Sequence, residues 1–394
     1  MAVILSGGAN ILVSEVYSMK LLHKFIVLIV ATALLISPVA ASEFGAPSCI
    51  LMEASTGLVL YEENADEALP PASVTKIMTL LLVMEAVDEG RLGWEDMITT
   101  SEYAASMGGS QVYLEPGEEM PVWEMVKCVV VASANDAAVA LAEAIAGSEE
   151  AFVSMMNARA AELGMTSTHF ENTNGLDDDT TNHVTSARDI AIMSRELITK
   201  HPKILEYSSI WMDTIRNGEF GLTNTNRLIR FYRGANGLKT GSTAKAKFCI
   251  SATAERDGMQ LIAVIMASPS RDERNESAKR LLDYGFANWE VAHLVSEPLD
   301  DIVLNGGVYP TLPIKYEDSQ LVLKKGSAAK LTKNLVLPET ISAPVAAGDE
   351  VGKIEYLLDG EVVATLPIVA AEDRDRIGFG EVLSRFLRAL TLAG

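Results

Sequence analysis

The spacing of apolar positions changes character several times along the chain. Cys49-Ile50-Leu51-Met52 and Leu58-Val59-Leu60-Tyr61 are short apolar runs flanking Ser55-Thr56-Gly57, a pattern that predicts a β-hairpin. Pro70-Pro71 stops what precedes it, and the apolar run Ile77 to Val87 predicts a buried helix from about Ser73 to Gly90. Val122 to Val131 is apolar with helical phase. An alanine-rich helix from Asn135 to Gly147 follows, then an amphipathic helix over Glu149–Leu163, closed by Gly164. Phe170-Glu171-Asn172-Thr173-Asn174-Gly175-Leu176 reads as loop, and Thr185 to Lys200 as a helix opened by capping residues.

From Asn224 the pattern turns to β. Gly237–Ser242, Phe248–Ala254 and Met259–Ala267 sit at hairpin spacing, and Ser277–Phe286 is a helix suited to cover their sheet. Near Glu297-Pro298 the chain shifts again to short strands separated by turns such as Leu358-Asp359-Gly360-Glu361. At the end, Ile377, Phe379, Val382, Leu383, Phe386, Leu387 and Leu390 form a helical stripe opposite Glu381, Ser384, Arg385 and Arg388. That amphipathic helix is too interrupted by charge to span a bilayer. It suits a membrane surface, the alternative being a helix docked on its own β domain.

The other end reads as an address. Met19-Lys20-Leu21-Leu22-His23-Lys24 is a basic region, Phe25–Ile36 is apolar apart from Thr32, and Ser37-Pro38-Val39-Ala40-Ala41-Ser42 offers small residues for a cut after Ala41. These are the parts of a secretory signal, with translation expected to start at Met19; a retained N-terminal anchor is the alternative. The expected organisation is therefore a signal over residues 1–41, a main domain over 42–295, a small β-rich domain over 296–371 and an amphipathic tail over 372–394.

The 394 residues suffice for two domains with real cores. A formal net charge of −21 argues against nucleic acid as a partner, and any pocket for an anionic ligand needs its own local cations. Cys49, Cys128 and Cys249 do not fall at metal-ligand spacing, and the five histidines form no cluster with them, so neither a zinc site nor a disulfide framework is expected.

Three patches carry candidate chemistry. In Ser73-Val74-Thr75-Lys76 the serine and lysine lie three residues apart on one face of a first helical turn, where they can act as nucleophile and base. Alone, the tetrad is equally an N-cap serine followed by an exposed lysine. Ser133-Ala134-Asn135 alone is a helix cap, and Lys239-Thr240-Gly241 alone is a strand end.

Taken in order with their surroundings, the three resemble the superfamily of penicillin-binding proteins and serine β-lactamases. More narrowly, PASVTKIMT, SANDAAVALAE, NTNGL with HVTSARDIAIMSREL, and GANGLKTGST are similar to the blocks of the low-molecular-mass D-alanyl-D-alanine carboxypeptidases. The likeness covers roughly residues 47–290, and the β domain plus tail fits the same layout. It implies an α+β fold, an antiparallel sheet flanked by helices with an all-helical subdomain, followed by the small all-β domain and the amphipathic helix. It implies no cofactor, a peptidoglycan stem peptide as substrate, β-lactams as covalent inhibitors, and a place on the outer face of the cell membrane.

The resemblance also implies roles. Ser73 attacks the carbonyl of the penultimate D-alanine. Lys76 is its base, which requires its pKa to fall by about two to three units from the usual ~10.4. Ser133 relays a proton between Lys76 and the leaving amine, and Asn135 holds the substrate amide. Lys239 and Thr240 bind the terminal carboxylate. Gly241 lets substrate lie against the strand, and the N–H groups of Ser73 and Ser242 form an oxyanion hole. Arg274 is expected as a second carboxylate contact or an orienter of the pocket, with Arg271 as its alternative. A serine β-lactamase shares the motifs but needs a deacylating carboxylate, and residues 160–180 hold no Glu-x-x-x-Asn element. A non-catalytic penicillin-binding scaffold or sensor is the remaining alternative.

Overall fold

The computed structural model describes residues 43–392. The expected signal over 1–41 and the start at Met19 lie outside the described residues. The chain opens with the hairpin β1 (Ser48–Glu53) and β2 (Val59–Glu63), then reaches a 3₁₀ turn at Ala72–Thr75 that runs straight into α1 (Lys76–Asp88). Helices α2 (Asn135–Ala146), α3 (Glu149–Glu162) and α4 (Ala187–Lys200) follow. Then come β3 (Ala235–Thr243), β4 (Lys247–Arg256) and β5 (Met259–Ser268), α5 (Arg271–Asn288) and β6 (Trp289–Leu294).

The main sheet is antiparallel in the order β2-β1-β5-β4-β3, so the N-terminal hairpin joins strands some two hundred positions later in the chain. Its strands alternate faces, as period-two geometry requires. Ile50, Met52, Ile262, Val264 and Met266 point into the core shared with α1 and α4. Leu51, Ile250, Leu261, Ala263 and Ile265 pack under Ala278, Leu281, Leu282 and Phe286 of α5. The sheet is thus sandwiched between helices, and burial of apolar surface on both faces is what holds it. On the remaining side α2 and α3 complete an all-helical region; α1 is buried on nearly every side, which explains why its sequence shows no polar stripe.

Three elements differ from the sequence expectation. Helix α5 starts at Arg271, six residues before the expected Ser277, because Ser270 caps it by accepting from the Glu273 N–H at 3.1 Å. A hairpin at Met212–Ile215 and Phe220–Thr223 precedes the expected onset of β structure at Asn224. Strand β6 pairs with Ser319–Lys324, so the β-rich region begins at Trp289.

Beyond β6, short strands form a second core around Leu304, Leu312, Ile354 and Ile368. They make a three-stranded sheet with Ile302–Asn305 at its centre and a four-stranded sheet built on the Glu350–Leu358 and Glu361–Ala370 hairpin. The last helix, α6 (Phe379–Leu392), keeps its apolar stripe outward: Phe379 is 82% and Phe386 61% exposed. Its Arg385 bonds Glu381 and the Val308 carbonyl, so contact with the β domain runs through a polar side chain. Among the described residues no helix is long and apolar enough to cross a membrane.

Candidate active site

Six segments meet at one polar cleft of about 160 Å³, lined by Ser73, Ser133, Thr240, Gly241, Ser242 and Arg274, together with Ser110, Thr225 and Arg271. The 3₁₀ turn presents Ser73 half-buried at the cleft floor, and the i, i+3 spacing brings Lys76 Nζ to 3.0 Å from Ser73 Oγ. Lys76 is fully buried; its amine also meets Asn135 Oδ1 at 2.5 Å and the Asn174 carbonyl at 2.8 Å. Burial holds its pKa well below the usual lysine range, Lys239 pushes it further down, and Asp136 opposes both.

Ser133 follows a π-helical turn (Cys128–Ala132) and takes a left-handed conformation, φ 64°, before α2 begins. This places its hydroxyl 2.8 Å from Lys239 Nζ, whose proton it accepts. Ser133 is thus tied to Lys239, while Lys76 bonds Ser73, Asn135 and Asn174. Asn135 is engaged at both ends of its amide, since its Nδ2 donates to the Gly108 carbonyl at 2.7 Å.

Strand β3 is an edge strand, paired with β4 alone. Lys239 is buried, its amine held by Ser133 and by the Thr240 carbonyl at 2.9 Å. Burial lowers its pKa to about 7, with the nearby Arg274 cation adding to the effect. Thr240 Oγ1 donates to Thr225 Oγ1 at 2.7 Å. At Gly241 a Cβ would fall 2.9 Å from the Ser73 nitrogen and 2.8 Å from the Pro71 carbonyl. The strand therefore lies directly against the turn that carries Ser73, and the missing side chain makes that approach available. The exposed Ser242 follows at the cleft mouth.

Arg274 and Arg271, both near the start of α5, line the cleft. Arg274 is buried and tethered to Asn275 Oδ1 at 2.8 Å and to the Cys249 carbonyl at 3.4 Å, and burial pulls its pKa down to about 10. Arg271 is exposed. None of the described residues lining the cleft is a carboxylate. Cys49, Cys128 and Cys249 are free and buried, and the described residues hold no His, Cys, Asp and Glu grouping fit for a metal.

Several residues escape a reading by motif. Asn174 contributes a backbone carbonyl, which leaves no signature in its side chain. Asp136 is fully buried and accepts from the Val112 and Leu114 N–H groups, each at 3.1 Å, pinning the segment that carries Ser110. Thr225 enters through the strand-adjacent loop, far from all three motifs.

A model of the family described as D-alanyl-D-alanine carboxypeptidase matches residues 36–270, and one described as the penicillin-binding protein 5 C-terminal domain matches residues 314–376. The chain belongs to the D-alanyl-D-alanine carboxypeptidase family of low-molecular-mass penicillin-binding proteins. It is 43% identical to the D-alanyl-D-alanine carboxypeptidase DacF of Bacillus subtilis over 347 residues, 86% of this chain and 88% of the relative. It is 32% identical to DacC of Escherichia coli, covering 86% and 87%. Its fold resembles penicillin-binding protein 5 from Haemophilus influenzae with a TM-score of 0.74, 30% identity, and coverage of 84% of this chain and 98% of the other. Penicillin-binding protein D2 from Listeria monocytogenes, solved in an ampicillin-bound form, covers 61% of this chain and 97% of its own, at 33% identity and TM-score 0.56.

The close approach of the Asn174 loop to the turn that carries Ser73 depends on Gly175. Its φ is +83°, and a Cβ would fall 1.9 Å from the Ala72 carbonyl oxygen. Gly175→Ala should lower the unfolding free energy in urea by about 2–4 kcal/mol. Gly164→Ala, at φ +73° but facing open space, should lose only about 1 kcal/mol.

Proposed function

We propose that this protein is a serine-type D-Ala-D-Ala carboxypeptidase that removes the terminal D-alanine from peptidoglycan stem peptides through a Ser73 acyl-enzyme, and that penicillins acylate the same residue. The observation that carries the reading is the pairing of Ser73 Oγ with a buried lysine amine at 3.0 Å, inside a cleft whose far wall is cationic. A buried Lys76, its pKa held well below the usual lysine range by burial and by Lys239, can take the serine proton as Oγ attacks the carbonyl of the penultimate residue. The oxyanion that forms meets the N–H groups of Ser73 and Ser242.

As the tetrahedral species collapses, the C–N bond breaks and the departing amine takes a proton from Ser133. The Ser133 oxygen is occupied by Lys239, which leaves its O–H free to turn toward the leaving group. Lys76 then returns the proton to Ser133 and serves again as base for the water that releases the acyl group. Lys239 and Thr240 receive the terminal carboxylate, with Arg274 and Arg271 adding positive field around it. Asn135 Nδ2 turns from Gly108 toward the substrate amide. The unpaired edge of β3 accepts the extended peptide as an added strand. A cleft lined by no carboxylate supports a carboxypeptidase over a β-lactamase, which needs a base to clear its penicilloyl adduct.

The reading places the protein outside the cytoplasmic membrane, held at its outer face through α6. The signal-like segment before Ala41 and the outward apolar stripe with its two exposed phenylalanines support this.

Three outcomes test these statements. Ser73→Ala should cut D-alanine release from a diacyl tripeptide by about 10⁴-fold or more and abolish the penicillin mass adduct; equal release by both proteins would end the proposal. The pH profile of kcat/KM should be bell-shaped, rising as Lys76 deprotonates and falling as Lys239 loses its charge near pH 7. A bound carboxylate raises the Lys239 pKa, so the falling limb of kcat lies higher, and Lys239→Arg, which stays charged, removes that limb. Finally, Phe379→Ser with Phe386→Ser should weaken sedimentation with anionic lipid vesicles by at least about tenfold while leaving D-alanine release unchanged.

A further inference from the structure

A buried histidine outside the three motifs links the nucleophile turn to the loop that holds Lys76. His183 is 6% exposed, with its ring 5.8 Å from that of Phe170 in an edge arrangement. The Glu171 N–H donates to its Nδ1 at 2.9 Å. A backbone N–H can only donate, so Nδ1 carries no proton and the neutral ring carries its proton on Nε2. That Nε2–H faces Thr75 Oγ1 at 2.8 Å, and Thr75 Oγ1 in turn donates to the Ala72 carbonyl at 2.8 Å. Three hydrogen bonds thus run in one direction, from the loop through the imidazole to the turn that carries Ser73.

The loop so gripped makes two contacts with α1. The Thr173 carbonyl accepts from Thr79 Oγ1 at 2.6 Å, and the Asn174 carbonyl accepts from Lys76 Nζ at 2.8 Å. We propose that His183 is a positioning residue for acylation: by tying Glu171 to Thr75 it holds the Asn174 carbonyl on the Lys76 amine and keeps water away from it. The inference rests on the acylation chemistry proposed above. An imidazolium would turn an N–H toward the Glu171 N–H, so the tie exists only while the ring is neutral. Burial lowers the His183 pKa to about 4; of the charged groups facing it, Glu171, Asp177 and Glu149 favour protonation and His169 opposes it. A folded-state pKa below the usual 6.5 means that this contribution to stability is complete above about pH 6.5 and is lost as pH falls toward 4.

The test compares wild type, His183→Asn and His183→Leu in acylation by a fluorescent penicillin across pH, with thermal unfolding of each. Asparagine can place Oδ1 where Nδ1 sits and keep the Glu171 bond, whereas leucine fills the space with no acceptor. His183→Leu should acylate about 10²-fold more slowly. Its acid limb should move to higher pH, because water reaching Lys76 relieves the burial that lowers its pKa; His183→Asn, which keeps the Glu171 bond but is too short to reach Thr75, should recover only part of the rate and of the limb. Acylation by His183→Leu at the wild-type rate, or slowed with the limb unmoved, would overturn the proposal. A wild type that is not acylated at all would instead strike the proposed function. Imidazole ¹⁵N shifts of unmodified protein give a reading that needs no variant: His183 should remain the neutral Nε2–H tautomer down to about pH 4, and titration near 6.5 would refute the tie.

Discussion

Two lysine amines buried behind one serine set the terms for the rest of the molecule. Taking an ammonium out of water is costly unless it is paired or neutralised. Among the described residues neither Lys76 nor Lys239 pairs with a carboxylate; both amines bond neutral oxygens. The cost appears instead as depressed pKa values, and each cation deepens it, Lys239 acting on Lys76 and Arg274 on Lys239. In the proposed mechanism that lets an ordinarily inert ammonium act as a base, with a cationic wall opposite. A chain with net charge −21 nonetheless gathers Lys239, Arg271 and Arg274 around this cleft.

The fold serves that arrangement by bringing walls from distant parts of the chain together. Helix α1 is buried on nearly every side, and Lys76 is buried with it. The glycine at 241 lets the edge strand lie against the turn that carries Ser73, and the glycine at 175 lets the Asn174 loop do so from the other side. Both faces of the main sheet are packed, which keeps β3 fixed relative to α1. The left-handed Ser133 turns its hydroxyl to Lys239 only because the π-turn before it delivers the chain at that angle. Backbone strain of this kind persists where surrounding contacts over-determine it.

How much of this was legible follows from what kind of atom does the work. Side chains with distinctive chemistry, Ser73, Lys76, Ser133, Lys239 and Arg274, stand out in the residue string, and the cleft contains or adjoins all of them. Contributions made by backbone atoms do not. The Asn174 carbonyl sits in a stretch that reads only as loop, and Gly108 and Ser110 belong to none of the three motifs. Helix α5 was expected late because its first turns, Arg271-Asp272-Glu273-Arg274-Asn275, carry no apolar face, and the capping contact of Ser270 with Glu273 decides its start. The hairpin around Met212 was missed because its strands are four residues long and mostly exposed.

Local spacing along the chain specifies the elements and their chemistry: period-two strands, an apolar helix after Pro70-Pro71, a serine and a lysine one turn apart, and an amphipathic tail. Those features depend on neighbours within a few residues, where spacing dictates geometry. Tertiary structure alone decided the partners. It set Lys76 beside Asn135 and Asn174, 59 and 98 positions away, and Ser133 beside Lys239, 106 positions away. It also turned the tail's apolar stripe outward. A lysine's pKa depends on how much water and which charges surround it, and only the folded chain specifies those.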